Sequence, residues 1–134
     1  MEERGVPLSI VVTGANRHDV TQIETVLAAV VVARPAKGEE HLCADTGYFG
    51  KPAAKVIRRF RYIAHVRSRG EEAAAKKAHR GGKARRWVVE CAHSWFNRFR
   101  KLLVRYEKTL ASYLALMHLA ASIICWRKVG VIYG

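Results

Sequence analysis

The stretch His41-Leu42-Cys43-Ala44-Asp45-Thr46-Gly47-Tyr48-Phe49-Gly50 decides how this chain folds. Its first four residues suit a short, largely apolar strand. The two glycines then turn the chain out of it, so Asp45 falls at the strand's C-terminal end. In open α/β sheets that edge is where ligands bind. An aspartate at such a place also has a purely local role open to it, bonding its own turn backbone.

Downstream, Lys51 to Phe60 has the composition of a helix with Pro52 in its first turn, and Arg61 to Arg67 alternates as a strand does. Upstream, Leu8 to Thr13 is β-branched and apolar, which predicts a buried strand beginning at or just after Pro7. Gly14 to Asp19 reads as a turn in which Asp19 is suited to cap the next helix. Val20, Ile23, Val26, Leu27, Val30 and Val31 set the period of a helix over Val20 to Ala33, which ends before Pro35. Residues 36–40 read as a polar connector. The order strand, helix, strand, helix, strand, followed by two long helices, predicts an α/β layered domain covering residues 1–134.

The second stretch of interest runs from Arg85 to Lys101. At about 100° per residue, Val88, Cys91, Trp95, Phe99, Leu102 and Tyr106 fall within an arc of roughly 80°, the stripe of a helix packed on a core. Glu90 lies on the opposite side, with Arg86, Asn97 and Lys101 within roughly 40° of it. One carboxylate thus sits among basic and polar groups. That pattern also fits a plain solvated helix face.

Charge separates these regions. The chain has 24 Lys and Arg against 11 Asp and Glu, a net charge of +13, and residues 51–106 hold seventeen of the bases against three acids. A concentrated basic region attracts polyanions because each phosphate it neutralises releases counterions, and nucleic acid is the commonest such partner. Trp87, Trp95, Phe96 and Phe99 are interleaved with the bases, although Trp95 and Phe99 lie on the apolar arc and are expected in the core. Residues 68–84 read as a short helix and a Gly81-Gly82 arm.

Cys43, Cys91 and Cys125 are widely spaced and form no CxxC pair, which fits a reduced, cytoplasmic chain rather than a disulfide scaffold. A zinc site built from His41, Cys43, Cys91 and His93 is not expected, because Cys91 and His93 point about 200° apart on a helix. No signal peptide is apparent after Met1. Thr109 to Trp126 lacks Asp, Glu, Lys and Arg, but Ser112, Tyr113, His118 and Ser122 interrupt its apolarity. A core helix buried on most sides is expected there, and no membrane partner.

Asp45 and Glu90 could together hold Mg²⁺, which takes one or two carboxylates plus waters and phosphate oxygens. Two carboxylates are by themselves a weak pattern. The blocks GVPLSIVVTGANRHDVTQ, HLCADTGYFG and RRWVVECAHSWFNRFRKLLVRYEKTLASYLALMHLAASIICWR, in this order, resemble the C-terminal half of DDE-type bacterial insertion-sequence transposases, in the branch that includes the fifth-named insertion-sequence family. The resemblance spans Gly5 to about Arg127. It implies a ribonuclease-H-like domain in which two Asp and one Glu bind the metals that cut transposon ends and join them to target DNA.

Carried across, Asp45 matches the second Asp and Glu90 the Glu, both as catalytic metal ligands. Arg86 matches the basic residue one turn before that Glu. Arg85, Asn97, Arg98 and Lys101 complete the expected DNA contacts, while Asn16 and Asp19 match as turn and cap rather than as ligands. Two departures accompany the match. The first Asp of the family lies upstream of the segment matching Gly5, and Cys91 stands where the family often has Arg.

The expectation is a partial ribonuclease-H-like domain lacking the first two strands, which binds DNA, supplies two of three carboxylates to a two-Mg²⁺ site and is inactive alone. It would be completed by an upstream transposase segment, as in a frameshifted second reading frame, or be the remnant of a decayed element; a homo-oligomer is a further partner to expect. The other reading is a non-enzymatic DNA-binding or regulatory fragment.

Overall fold

The computed structural model describes residues 1–2, 4–34, 38–66 and 86–133, with only the backbone described for Arg86, Trp87, Ile132 and Tyr133. The expected helix and arm over residues 68–84, and Arg85, lie outside the described residues. The chain forms two units, one of residues 13–83 and one of residues 1–12 with 84–134.

In the first unit, strand β1 (Glu40–Ala44) pairs in parallel with strand β2 (Tyr62–Val66), in the register Glu40 with Tyr62 through Ala44 with Val66. Helix α2 (Lys51–Arg59) makes the crossover between them, as parallel strands require. Pro52 occupies its first turn, where a missing N–H costs nothing, and Arg58 and Arg59 close its last turn, where cations suit the helix dipole. Residue alternation turns Leu42, Tyr62 and Val66 toward the core. There they pack against the buried cluster of Ile23, Leu27, Ala53 and Ile57, with Val20, Tyr48, Val56 and Phe60 around it. The strand–helix–strand order expected for residues 41–67 is the order found.

Helix α1 (Ile23–Ala28) follows a 3₁₀ turn at Asp19–Gln22. It stops five residues before the predicted Ala33. The β-branched run Val30-Val31-Val32 crowds χ1 against a preceding helical turn, and Val31 and Val32 are exposed. Asp19 does not cap: His18 is the N-cap, and Asp19 is the first residue of the turn, where its charge still suits the helix N-terminus.

The predicted strand over Leu8–Thr13 is absent. Its residues up to Val12 are half-buried but join no ladder, and among the described residues only β1 and β2 pair. An apolar β-branched run becomes a strand only where a neighbouring strand accepts its backbone hydrogen bonds.

The second unit contains helices α3 (Arg86–Asn97), α4 (Arg100–Leu103) and α5 (Leu110–Tyr133). The single helix expected to run to Tyr106 breaks at Phe99, whose backbone is extended. The amides of Arg98 and Phe99 donate to the carbonyls of Trp95 and Phe96, the tightened bonds of a helix end. Tyr106 is accordingly exposed rather than part of an apolar stripe. Before the break the predicted face holds: Ala92 is buried, Val88, Cys91, Trp95 and Phe96 are half-buried, and Glu90 is exposed. Gly5, buried with φ of 86°, sits against Trp95 so closely that a Cβ there would lie 3.1 Å from the indole ring.

Thr109 caps α5, its Oγ1 accepting the Ser112 amide at 3.1 Å. The helix was expected to be buried on most sides, yet it buries one stripe. Ala120, Ala121 and Ile124 are buried, with Tyr113, Met117 and Lys128 half-buried on the same arc, while Leu119, Trp126 and Val129 are exposed. The amino-acid pattern did not separate these cases, because small and apolar residues occupy both faces. Leu110–Val131 is long and apolar enough to cross a membrane by length and composition. The terminal Gly130 and Val131 continue the helix.

Candidate functional site

Asp45 follows β1 directly and caps the 3₁₀ turn Thr46–Tyr48, its Oδ1 accepting the Gly47 amide at 2.9 Å. A Cβ at position 47 would lie 3.0 Å from that same oxygen, so glycine lets the carboxylate fold over the turn. Asp45 thus lies at the strand's C-terminal end and bonds its own turn. A carboxylate has about four acceptor positions, so one amide leaves the exposed side chain able to take further donors or a cation.

The electrostatics of this edge register on Tyr48. Burial, followed by the negative charges of Asp19 and Asp45, pushes its phenol above its ordinary range. Asp19, assigned from sequence a turn and capping role, thus lies close enough to the Asp45 edge to act on the same hydroxyl. A phenol held neutral in the folded state and less so in the unfolded one contributes stability that is complete below about pH 10. That contribution falls as pH rises through the raised folded value. The expected result is an unfolding midpoint that drops more steeply above pH 10 in the unsubstituted chain than in Tyr48→Phe, read by denaturation across pH.

Glu90 stands on the exposed face of α3 with His93, Ser94 and Asn97, opposite buried Ala92. Arg98 and Lys101 are also exposed. The break at Phe99 means that the helical angle expected between Glu90 and Lys101 does not carry past Asn97. Arg86 is the first residue of α3, on the same helix as Glu90. Asp45 belongs to the first unit and Glu90 to the second.

The family resemblance in the sequence implies divalent metal use. Exposed carboxylates are the hard oxygen donors Mg²⁺ takes, so Asp45 and Glu90 fit in kind. In number they do not complete a site: among the described residues no group of three or more His, Cys, Asp or Glu is arranged to hold a metal ion. Nor do the described residues contain a disulfide.

Sequence reading missed one constellation. His41 and His65 meet across the two strands, His41 Nδ1 lying 2.7 Å from His65 Nε2. Their spacing in the chain carries no signal: the parallel register sets His41 opposite Ile63 and His65 opposite Cys43, so the two imidazoles meet diagonally across the strands.

Residues 42–127 match the family described as the transposase DDE domain. A curated protein of Burkholderia cepacia named as a transposase for insertion sequence element IS402 is 32% identical over 134 residues, covering 93% of this chain and 59% of its own length. No solved structure matches significantly. The strand-end aspartate and the α3 glutamate both fall inside the matched region, and the chain belongs to the transposase DDE domain family.

Proposed function

We propose that the chain is the C-terminal part of the catalytic domain of a DDE transposase, a partial ribonuclease-H-like domain over residues 1–134 that acts in DNA transposition. The observation that carries this reading is the placement of Asp45, exposed at the C-terminal end of a parallel strand, in a chain whose residues 42–127 match the transposase DDE domain. The parallel β1–α2–β2 unit supports the fold, and the named function of the Burkholderia relative supports the activity.

In this reading Asp45 and Glu90 are two of three carboxylates that hold Mg²⁺. The ions, when bound, activate the attacking water or 3′-hydroxyl and stabilise the leaving oxygen. The residues of the chain do the rest. The Gly47 amide fixes the orientation of Asp45. Arg85, Arg86, Asn97, Arg98 and Lys101 hold the DNA backbone near Glu90, the bases by charge and Asn97 by hydrogen bonding. Among the described residues no third carboxylate joins them, so cleavage needs a third ligand from elsewhere in the transposase. The protein works in the cytoplasm, at the nucleoid, with transposon ends and target DNA as partners.

The test is cleavage of transposon-end duplex in Mg²⁺ by the chain alone and by the chain joined to the upstream segment of a related transposase. Activity only in the joined protein is expected. Cleavage by the chain alone, or none in either, overturns the reading. The alternative, a regulatory DNA-binding fragment, is favoured by DNA binding that persists with no activity under any complementation.

The basic face has its own prediction. Each phosphate contact contributes about 0.9 to the slope of log affinity against log salt. Replacing both Arg98 and Lys101 by alanine should therefore lower the magnitude of that slope by about 1.8. Fluorescence anisotropy over a salt series measures it, and an unchanged slope would remove these two residues from the interface.

A further inference from the structure

Alternation along β1 and β2 sends Leu42 and Val66 to the core and leaves His41, Cys43, Ile63 and His65 on the other face of the sheet, all four exposed. On that face the two imidazoles approach edge to edge, Nδ1 to Nε2 at 2.7 Å with ring centroids 4.9 Å apart. One ring donates its N–H to the lone pair of the other. We propose that His41 and His65 form a binding site for a borderline divalent transition ion of the Zn²⁺ class, separate from the oxygen donors at Asp45 and Glu90.

Binding requires a rearrangement of the two side chains only. Two nitrogens held 2.0–2.1 Å from a tetrahedral ion stand roughly 3.3 Å apart, so from their present 2.7 Å contact they separate by about 0.6 Å and both rings tilt to aim at the ion. Both lone pairs must face the ion. The ring that now donates therefore moves its proton to its far nitrogen, and no net proton is lost when both rings are neutral. Water completes the coordination, since among the described residues no third His, Cys, Asp or Glu is already arranged to join them. Imidazole selects Zn²⁺, Ni²⁺ and Cu²⁺ and disfavours Mg²⁺, which takes oxygen. The ion would fasten β1 to β2, the pair that carries Asp45 at its end, and so stabilise the folded state by mass action.

The test uses the full chain and ZnCl₂ in isothermal titration, with millimolar MgCl₂ present. The expected result is binding of one Zn²⁺ that Mg²⁺ does not displace, weakened at least about tenfold in His41→Ala and in His65→Ala. Affinity should be unchanged in His93→Ala and His118→Ala. No binding up to about 1 mM ZnCl₂, or affinity that His41→Ala and His65→Ala leave unaltered, overturns the site, the ion class being the one imidazole pairs take. Equal loss in all four variants overturns it as well.

If an alanine variant does not fold, substoichiometric Ni²⁺ added to the unsubstituted chain gives an independent answer by NMR. Selective broadening of the His41 and His65 imidazole signals supports the site. Broadening of other histidines first contradicts it. Because the probe is a metal and no DNA is present, failure here leaves the transposase reading standing.

Discussion

Ile57→Ala is expected to destabilise the strand–helix–strand unit by about 2–5 kcal/mol, the range for truncating a fully buried branched side chain. Ile57 is wholly inaccessible and is the largest side chain buried to that degree among the described residues. It lies in the cluster with Ile23, Leu27 and Ala53, roofed by Leu42, Tyr62 and Val66 of the two strands. Removing it opens a cavity that the sheet cannot close without giving up its register. A domain holding about 5–15 kcal/mol in total loses a large fraction of its stability to one such change.

The consequence reaches the candidate site through the chain itself. Only Phe49 and Gly50 separate helix α2 from the turn that Asp45 caps, so loosening α2 frees that turn. Urea denaturation followed by far-UV circular dichroism measures the loss. Ile57→Val, which removes one methylene, should cost about 0.5–1.5 kcal/mol in the same experiment. Equal effects from both substitutions would show that the cluster is not packed as described.

In the joined transposase, Glu90→Gln and Asp45→Asn are each expected to lower DNA-end cleavage by about 10³-fold or more. A bound cation's contribution to transition-state charge is several kcal/mol, and each 1.36 kcal/mol is tenfold in rate. The amide keeps the shape of the side chain and removes the charge that attracts the cation. Glu90 is exposed, so Gln there leaves packing alone, and the loss should appear in rate with stability unchanged. DNA affinity should hold or rise slightly, since one negative charge leaves a basic face. Retained cleavage in either variant would remove that carboxylate from the chemistry. Asp45→Asn also keeps an oxygen able to accept the Gly47 amide, so it separates the metal role of Asp45 from its capping role.

The Asp45 edge was legible because local chemistry fixes it: a short apolar run, two glycines and a proline-started helix leave few alternatives. The exposed face of Glu90 was legible from period alone, until Phe99, where an extended residue ends a helix that the apolar spacing would have continued. The strand at Leu8–Thr13 was misjudged because strand formation is decided by a partner and not by the residues themselves. The burial of α5 was misjudged for a related reason, since the burial of an apolar helix depends on what surrounds it. The His41–His65 pair was beyond reach, because it is created by a register between strands about twenty residues apart.

On the proposed reading, Asp45 and Glu90 serve one metal centre in the joined transposase. Replacing Mg²⁺ by Fe²⁺ in the joined transposase and mapping the hydroxyl-radical cuts in the polypeptide tests it most directly. Cuts are expected beside both residue 45 and residue 90, with Asp45→Asn abolishing the cut near 90 and Glu90→Gln abolishing the cut near 45. Cuts at one position that persist when the other carboxylate is replaced would contradict it.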